Sequence, residues 1–394
     1  MSRRFFLTVA LVVSTAGATA QTAAPSPGLM TGIYDEAQTL YGNPDRTFPI
    51  LAQLGTQMLR VNLYWGHPRF GVSKARPQLF EDPDETGKYN WEIYDRLTLY
   101  AAQHNIRVVF SIVGVPKWAN GGKAWNIPPK NFADLKRFAY TAATRYSGTK
   151  INNDGRLLPA VRHWLAWNEP NNPNFLKTQF RKVGKKYTIQ SGKDYAKICN
   201  SVVTGVKSTL LRGQKVACGV TGPRGNNCAT CKTRPSVSPL AFLRSMKANG
   251  AKGFDAYAHH PYYAGPSDQP TKAPPRTIQG KESNSVTLGN IDALVKEVTR
   301  LYGRKPIWIT EYAYQTNPPD RSFGVSNALQ ARYLTQAFNI AYRHPRIDMM
   351  LWFLLKDETL LDGWQSGFYT SGGKKKPSFN AFRAMTRSLS QRRR

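Results

Sequence analysis

Two glutamates stand out by where they fall in the chain. Arg162-His163-Trp164-Leu165-Ala166-Trp167 is an apolar, aromatic run with the character of a buried strand, and it breaks off in Asn168-Glu169-Pro170-Asn171. A strand interior does not accept an unpaired carboxylate, so Glu169 belongs at the carboxyl end of that strand. Pro170, which has no N–H, stops the ladder there. Lys305-Pro306-Ile307-Trp308-Ile309-Thr310-Glu311-Tyr312 repeats the arrangement: an apolar run, one glutamate, then polar chain. Two glutamates ending two parallel strands can face each other across a cleft, which is what cleavage of a glycosidic bond requires. Either glutamate alone reads equally well as a loop carboxylate paired with an arginine. The pair is what points to chemistry.

Such a pair needs a frame that brings strand ends together. Apolar strand patterns fall at 32–35, 58–65, 106–113, 215–220, 254–260 and 349–354, besides the two runs that end in glutamate. Helical patterns fill the intervals at 48–55, 91–105, 131–146, 194–211, 240–249, 291–301, 327–342 and 379–388. The third of these carries Phe132, Leu135, Phe138 and Ala139 on one face. Strict alternation of strand and helix implies parallel strands with helical crossovers. Eight such units in a little under 400 residues predict the α/β class, a single (β/α)8 TIM barrel with extended βα loops. An open doubly wound sheet is the alternative, and it is disfavoured because no glycine-rich phosphate loop follows the first strand.

In a barrel of this kind the functional residues gather at the carboxyl ends of the strands. Strand four contributes Asn168 and Glu169, strand six His260 and Tyr262, strand seven Glu311 and strand eight Trp352, while Arg60 lies within strand two. Together with Val115-Pro116-Lys117-Trp118-Ala119 and the closing Lys376-Pro377-Ser378-Phe379-Asn380-Ala381-Phe382, the pattern resembles the clan A retaining glycoside hydrolases. Within the clan it is most similar to family 39 and the related cellulase-like family 5, over nearly all of 21–394. In that clan the acid/base follows an asparagine at strand four and the nucleophile ends strand seven. The resemblance therefore implies Glu169 as acid/base and Glu311 as nucleophile. Glu169 then needs desolvation or a negative neighbour to hold its proton, and Glu311 needs donors, for which Arg60 and the Tyr262 hydroxyl are the candidates. Asn168 is expected to bond the sugar 2-hydroxyl, and Trp352 to floor the site.

His260, within His-Pro-Tyr, is expected to point into the cleft, and His259 to be a core histidine. Trp118, Trp65 and Trp125 are further candidates for the cleft. Family 5 enzymes often carry a histidine after strand three, whereas this chain runs Val113-Gly114-Val115-Pro116, which moves the resemblance towards family 39. The acidic pairs Asp82/Asp84 and Asp357/Glu358 read as solvated loops. No metal and no cofactor are expected, and the fold leaves the identity of the sugar open.

The N-terminus has the form of an export leader: Arg3 and Arg4, then the apolar stretch 5–13, then Ala18-Thr19-Ala20 as a small-residue cleavage site. A general secretory and a twin-arginine route both fit, and a secreted or periplasmic protein beginning near Gln21 is expected. No stretch is long enough to be a transmembrane segment. Cys199, Cys218, Cys228 and Cys231 suggest two disulfides; zinc and redox readings are weaker because the spacing is irregular. Formal net charge is +31, or +29 once Arg3 and Arg4 are lost. An acidic glycan or negatively charged envelope is one partner such a charge can serve, and plain solubility is another. The basic residues are scattered without a nucleic-acid-binding motif, so no specific nucleic acid is expected; Arg392-Arg393-Arg394 reads as a frayed tail. A monomer acting on carbohydrate is the expectation, and a non-catalytic carbohydrate- or envelope-binding barrel is its rival.

Overall fold

The computed structural model describes residues 28–391 other than 79–81, 83–87, 233, 266–267 and 279–280. The expected export leader, Asp84 and the terminal arginines lie outside the described residues. Eight strands form the frame: β1 (Met30–Tyr34), β2 (Met58–Tyr64), β3 (Arg107–Val113), β4 (His163–Ala166), β5 (Lys215–Thr221), β6 (Ala256–His259), β7 (Ile307–Tyr312) and β8 (Ile347–Phe353). Each pairs in parallel with its sequence neighbours, and β1 pairs with β8, which closes the barrel. The crossovers are α1 (Pro44–Gln53), α2 (Glu92–Gln103), α3 (Phe132–Arg145), α4 (Gln190–Lys207), α5 (Pro239–Ala248), α6 (Ile291–Tyr302), α7 (Asn327–Arg343) and α8 (Pro377–Gln391). The (β/α)8 expectation is met.

Side chains alternate along each strand, so the sheet has an inner and an outer core. Met58, Val109, Leu165, Ala217, Ala258, Trp308, Met349 and Leu351 pack inside the barrel. Register sets the Trp308 indole opposite the small Ala258, so bulk and room alternate across the interior. The intervening residues, such as Ile33, Leu59, Phe110, Trp164 and Met350, form the larger outer core against the helices. Helix starts follow local chemistry. Asn43 caps α1 with Pro44 at its first position, Asn131 caps α3 and Ser326 caps α7. The fourth helix begins and ends earlier than its sequence pattern suggests. An antiparallel hairpin (180–189) feeds directly into Gln190, and the Ser208 hydroxyl bonds back to Thr204 and Gly205 as the helix stops.

Both expected disulfides are present. Cys199–Cys218 staples α4 to β5, and Cys228–Cys231 closes a turn in the loop after β5. Asp357 departs from expectation: it is buried, and the Lys376 ammonium lies 2.7 Å from its carboxylate. The ion pair ties the loop after β8 to the start of α8, and a buried charge persists there because it is paired. Glu358 beside it is exposed. No described helix is long and apolar enough to cross a membrane.

Candidate active site

Glu311 reaches the barrel mouth through an irregularity. Trp308 faces inward, so simple alternation would turn Glu311 outward. The pairing of β7 with β8 shifts register between Ile309 and Tyr312, and Glu311 there turns into the mouth. Arg60 comes from below: Met58 on β2 faces the interior, so Arg60, two residues on, points the same way one layer higher. Its Nη1 lies 2.7 Å from Glu311 Oε1, and its Nη2 donates to Asn168 Oδ1 at 2.5 Å. The Tyr34 ring lies 4.5 Å from the guanidinium carbon. Tyr262 donates its hydroxyl to Glu311 Oε2 at 3.1 Å. Glu311 thus has a cation on one oxygen and a hydroxyl donor on the other, in a buried site.

Glu169 lies three residues beyond β4 on a turn where Trp167 (φ 74°) and Glu169 (φ 36°) both have left-handed backbone. The Glu169 N–H is held by the Val220 carbonyl, and Asn172 Nδ2 donates to Glu169 Oε2 at 3.0 Å. Burial pushes the Glu169 carboxyl up from the usual range; the Asn172 bond, Arg60 and Arg234 pull it down without cancelling that rise. His260 stands between the two glutamates. Its Nδ1 lies 3.0 Å from Glu169 Oε1 and 3.6 Å from Glu311 Oε1, and its Nε2 lies 3.1 Å from Arg60 Nη1 and 3.0 Å from Thr310 Oγ1. The neutral ring has one N–H, which Thr310 Oγ1 can accept from Nε2 or a glutamate oxygen from Nδ1. Burial holds the ring neutral by pushing its pKa down to about 3.

Of the seven residues expected at the strand ends, six converge, Asn168, Glu169, Arg60, His260, Tyr262 and Glu311, and Trp352 does not. Trp352 has the same parity as Met350, so it faces the helices, fully buried, with Nε1 donating to Ser366 O. Its neighbour Phe353 faces the mouth instead, packed with Tyr34 and edge-on to Trp364, which in turn meets Tyr262. Trp65 is likewise core, stacked on Phe138. Trp118 stays at the rim, half-buried, with its Nε1 3.3 Å from Ser73 Oγ and its ring edge-on to Trp65. Trp125 is half-buried against His67 and Phe175. His259 is a core histidine, bonded to Thr221 and to the Val286 carbonyl.

A third carboxylate went unread in the sequence. Glu36, half-buried just beyond β1, accepts from the Asn62 N–H at 2.6 Å and from the hydroxyls of Tyr34 and Tyr64 at 3.3 and 3.2 Å. Its withdrawal from solvent pushes its carboxyl up to about 7. Asn172 and Gly222 were also missed; a Cβ at Gly222 would come 3.0 Å from the Glu169 carboxyl, so glycine keeps that face open. One oxygen from each of Glu169 and Glu311 and one His260 nitrogen lie within 4.8 Å of one another, the kind of trio that can hold a metal. The Arg60 charge already seated on Glu311 opposes a divalent ion there.

Residues 284–378 match the family model of the glycosyl hydrolase catalytic core. No curated protein matches the chain in sequence. Among solved structures, a family 39 glycoside hydrolase from the gut symbiont Bacteroides cellulosilyticus aligns over 92% of this chain and 64% of its own, with TM-score 0.62 and 18% identity. A glucosidase from Croceicoccus marinus aligns over 94% of this chain and 68% of its own, with TM-score 0.60 and 13% identity. The endo-β-1,4-mannanase from Thermotoga petrophila aligns over 93% and 78%, with TM-score 0.54 and 15% identity. At these identities the likeness is one of fold. The chain spans less than two thirds of the family 39 structure. What the chain shares with these structures is the architecture, a (β/α)8 barrel.

Proposed function

We propose that the chain is an exported β-glycosidase that cleaves O-glycosidic bonds with retention, Glu311 acting as nucleophile and Glu169 as acid/base. The observation that carries this reading is the close approach of two carboxylates in opposite surroundings, with oxygens within 4.8 Å. That spacing suits direct attack by one carboxylate better than a water held between them. Glu311, seated on Arg60 and Tyr262, attacks the anomeric carbon while Glu169 gives its proton to the departing oxygen. Esterification removes the Glu311 charge, Arg60 then acts on Glu169 uncompensated, and Glu169 becomes the base that activates water. Asn168, whose oxygen is taken by Arg60, turns its amide N–H₂ to the sugar 2-hydroxyl, a contact that strengthens in the transition state. Phe353 and Trp364 supply the apolar floor first assigned to Trp352. Two disulfides and the leader motif support work outside the cytoplasm. The test is turnover of a panel of aryl β-glycosides and polysaccharides by wild type and Glu311→Gln. Retained product from the wild type and none from the variant is expected; inverted product, or an active variant, overturns the assignment.

A further inference from the structure

Between Glu169 and Asp255 the chain carries sixteen lysines and arginines and a single acid, Asp194. Half of those cations fall on the two loops that flank Glu169. Lys177, Arg181, Lys182, Lys185 and Lys186 lie on the exposed hairpin and its approach after β4. Arg224, Lys232 and Arg234 lie, also exposed, on the disulfide-closed loop after β5. No carboxylate forms an ion pair with any of the eight among the described residues. Asp194, partly buried at the start of α4, feels Arg181 together with Lys197 and Lys193, and the Arg224 guanidinium donates to the Ala264 carbonyl. Elsewhere in the same stretch two of the cations are paired, Lys207 with Asp255 and Arg244 with Glu297.

Both basic loops are fixed to the turn that bears Glu169. The Gln179 amide, at the foot of the hairpin, donates to the Pro170 carbonyl. The Asn171 amide bonds Gly222 through both its N–H and its carbonyl, and also donates to Val237 O. The acid gives its proton to the leaving oxygen, so the rim beside Glu169 is the rim over which the leaving group extends. Glu36 stands with Tyr34 and Tyr64 beyond β1, across the closed barrel from β5. Tyr187, 47% exposed on the hairpin among the lysines, offers a ring face to a sugar.

We infer that the leaving-group side of this cleft takes a polyanionic glycan, a chain whose sugars carry carboxylate or sulfate, held by the basic hairpin and the loop after β5. The inference rests on the glycosidase reading and names its substrate class. Unpaired cations of one sign at a cleft raise the local concentration of such a chain, and the attraction fades with salt because exposed charges are screened within about 8 Å at physiological ionic strength.

The test compares wild type with a charge-reversed hairpin, Lys182→Glu/Lys185→Glu/Lys186→Glu, whose positions are exposed and carry no core packing. Both are assayed on a small neutral aryl β-glycoside and on a polyuronate, a sulfated polysaccharide and a neutral β-glucan. Binding of Glu311→Gln, with and without the reversal, to the same polymers is measured at low and high salt, with anionic vesicles and duplex DNA alongside. The expected result is at least about a tenfold rise in KM and weakening of binding for one or both acidic polymers on reversal, with aryl glycoside turnover unchanged. Lys→Arg replacements should restore binding. The acidic arms separate carboxylate from sulfate. Equal handling of acidic polymers by the reversed variant, preference for the neutral glucan, or salt-sensitive binding confined to vesicles or DNA overturns the inference. Absence of aryl glycoside turnover in the wild type overturns the glycosidase reading instead, and the binding arm still decides this one.

Discussion

Glu311 and Glu169 are the same side chain at two ends of one cleft, and their surroundings differ in kind. Glu311 has a guanidinium on one oxygen and a phenol on the other. Glu169 has an amide and a neutral imidazole, and burial outweighs the cations that act on it from a distance. The first environment supplies a cation and a donor to the carboxylate, and burial in the second favours a held proton. On the proposed mechanism, role in this barrel is assigned by neighbours and not by the residue type, and each neighbour is a place to break the contrast.

Removing the carboxylates should have the largest effect. Glu311→Ala is expected to lower kcat/KM for an aryl β-glycoside by roughly 10⁴-fold or more, with no retained product on adding azide. Glu169→Ala should cost about 10²–10⁴-fold where the leaving group is poor. With a good leaving group it should instead accumulate the ester on Glu311, visible by mass spectrometry, and azide should release a β-glycosyl azide. If the two variants behave alike, the contrast in roles is gone.

Arg60 comes next, because it serves both sides. Arg60→Ala leaves the Glu311 carboxylate buried without its cation, and a loss of about 3–5 kcal/mol in chemical denaturation is expected, alongside impaired turnover. Arg60→Lys keeps a charge but cannot fork between Glu311 and Asn168, so it should recover stability more than kcat.

Asn172 allows a graded test. Its hydrogen bond favours the charged form of Glu169, so Asn172→Ala should raise the pKa of Glu169 further. Glycosylation needs Glu169 protonated, so the alkaline limb of kcat/KM should move to higher pH, and Asn172→Asp should move it further still. An unmoved limb would separate Asn172 from the acid. The smallest effect on turnover concerns the buried histidines. His259 and His260 are held neutral with values pushed down to about 3, and His163 to about 4. Below the unfolded value of about 6.5 the unfolded chain binds more protons than the folded one. Stability is thus complete above about pH 6.5 and declines as pH falls towards 3, and Tm measured across that window should follow. His259→Asn, away from the carboxylates, should flatten the decline.

Much of this was legible in the residues, and the failures have a common physical origin. Strand ends announced themselves wherever an apolar run met a carboxylate, which is why Glu169 and Glu311 could be placed before any coordinates. Arg60, His260 and Tyr262 followed from the barrel because only one face of each strand end is open. Trp352 failed on parity. Met349-Met350-Leu351-Trp352-Phe353-Leu354 is apolar on both faces, as a strand buried on both sides must be, so the run holds no record of which residues turn inward. Glu36 failed for another reason. It follows Asp35 on a short helical turn, and its burial is created by Tyr64 and Asn62 from the next strand. Asn172 and Gly222 gain meaning only when β4 and β5 lie side by side.

Asn171 has a bearing on how this barrel can be remodelled. One side-chain amide fastens the loop after β4 to the loop after β5 at Gly222 and Val237. An insertion or graft in either loop alone would strand half of those bonds in a buried place and shift the Glu169 turn with them. The two loops form one exchangeable module, and a swap that aims at new specificity has to carry 169–190 and 222–238 together.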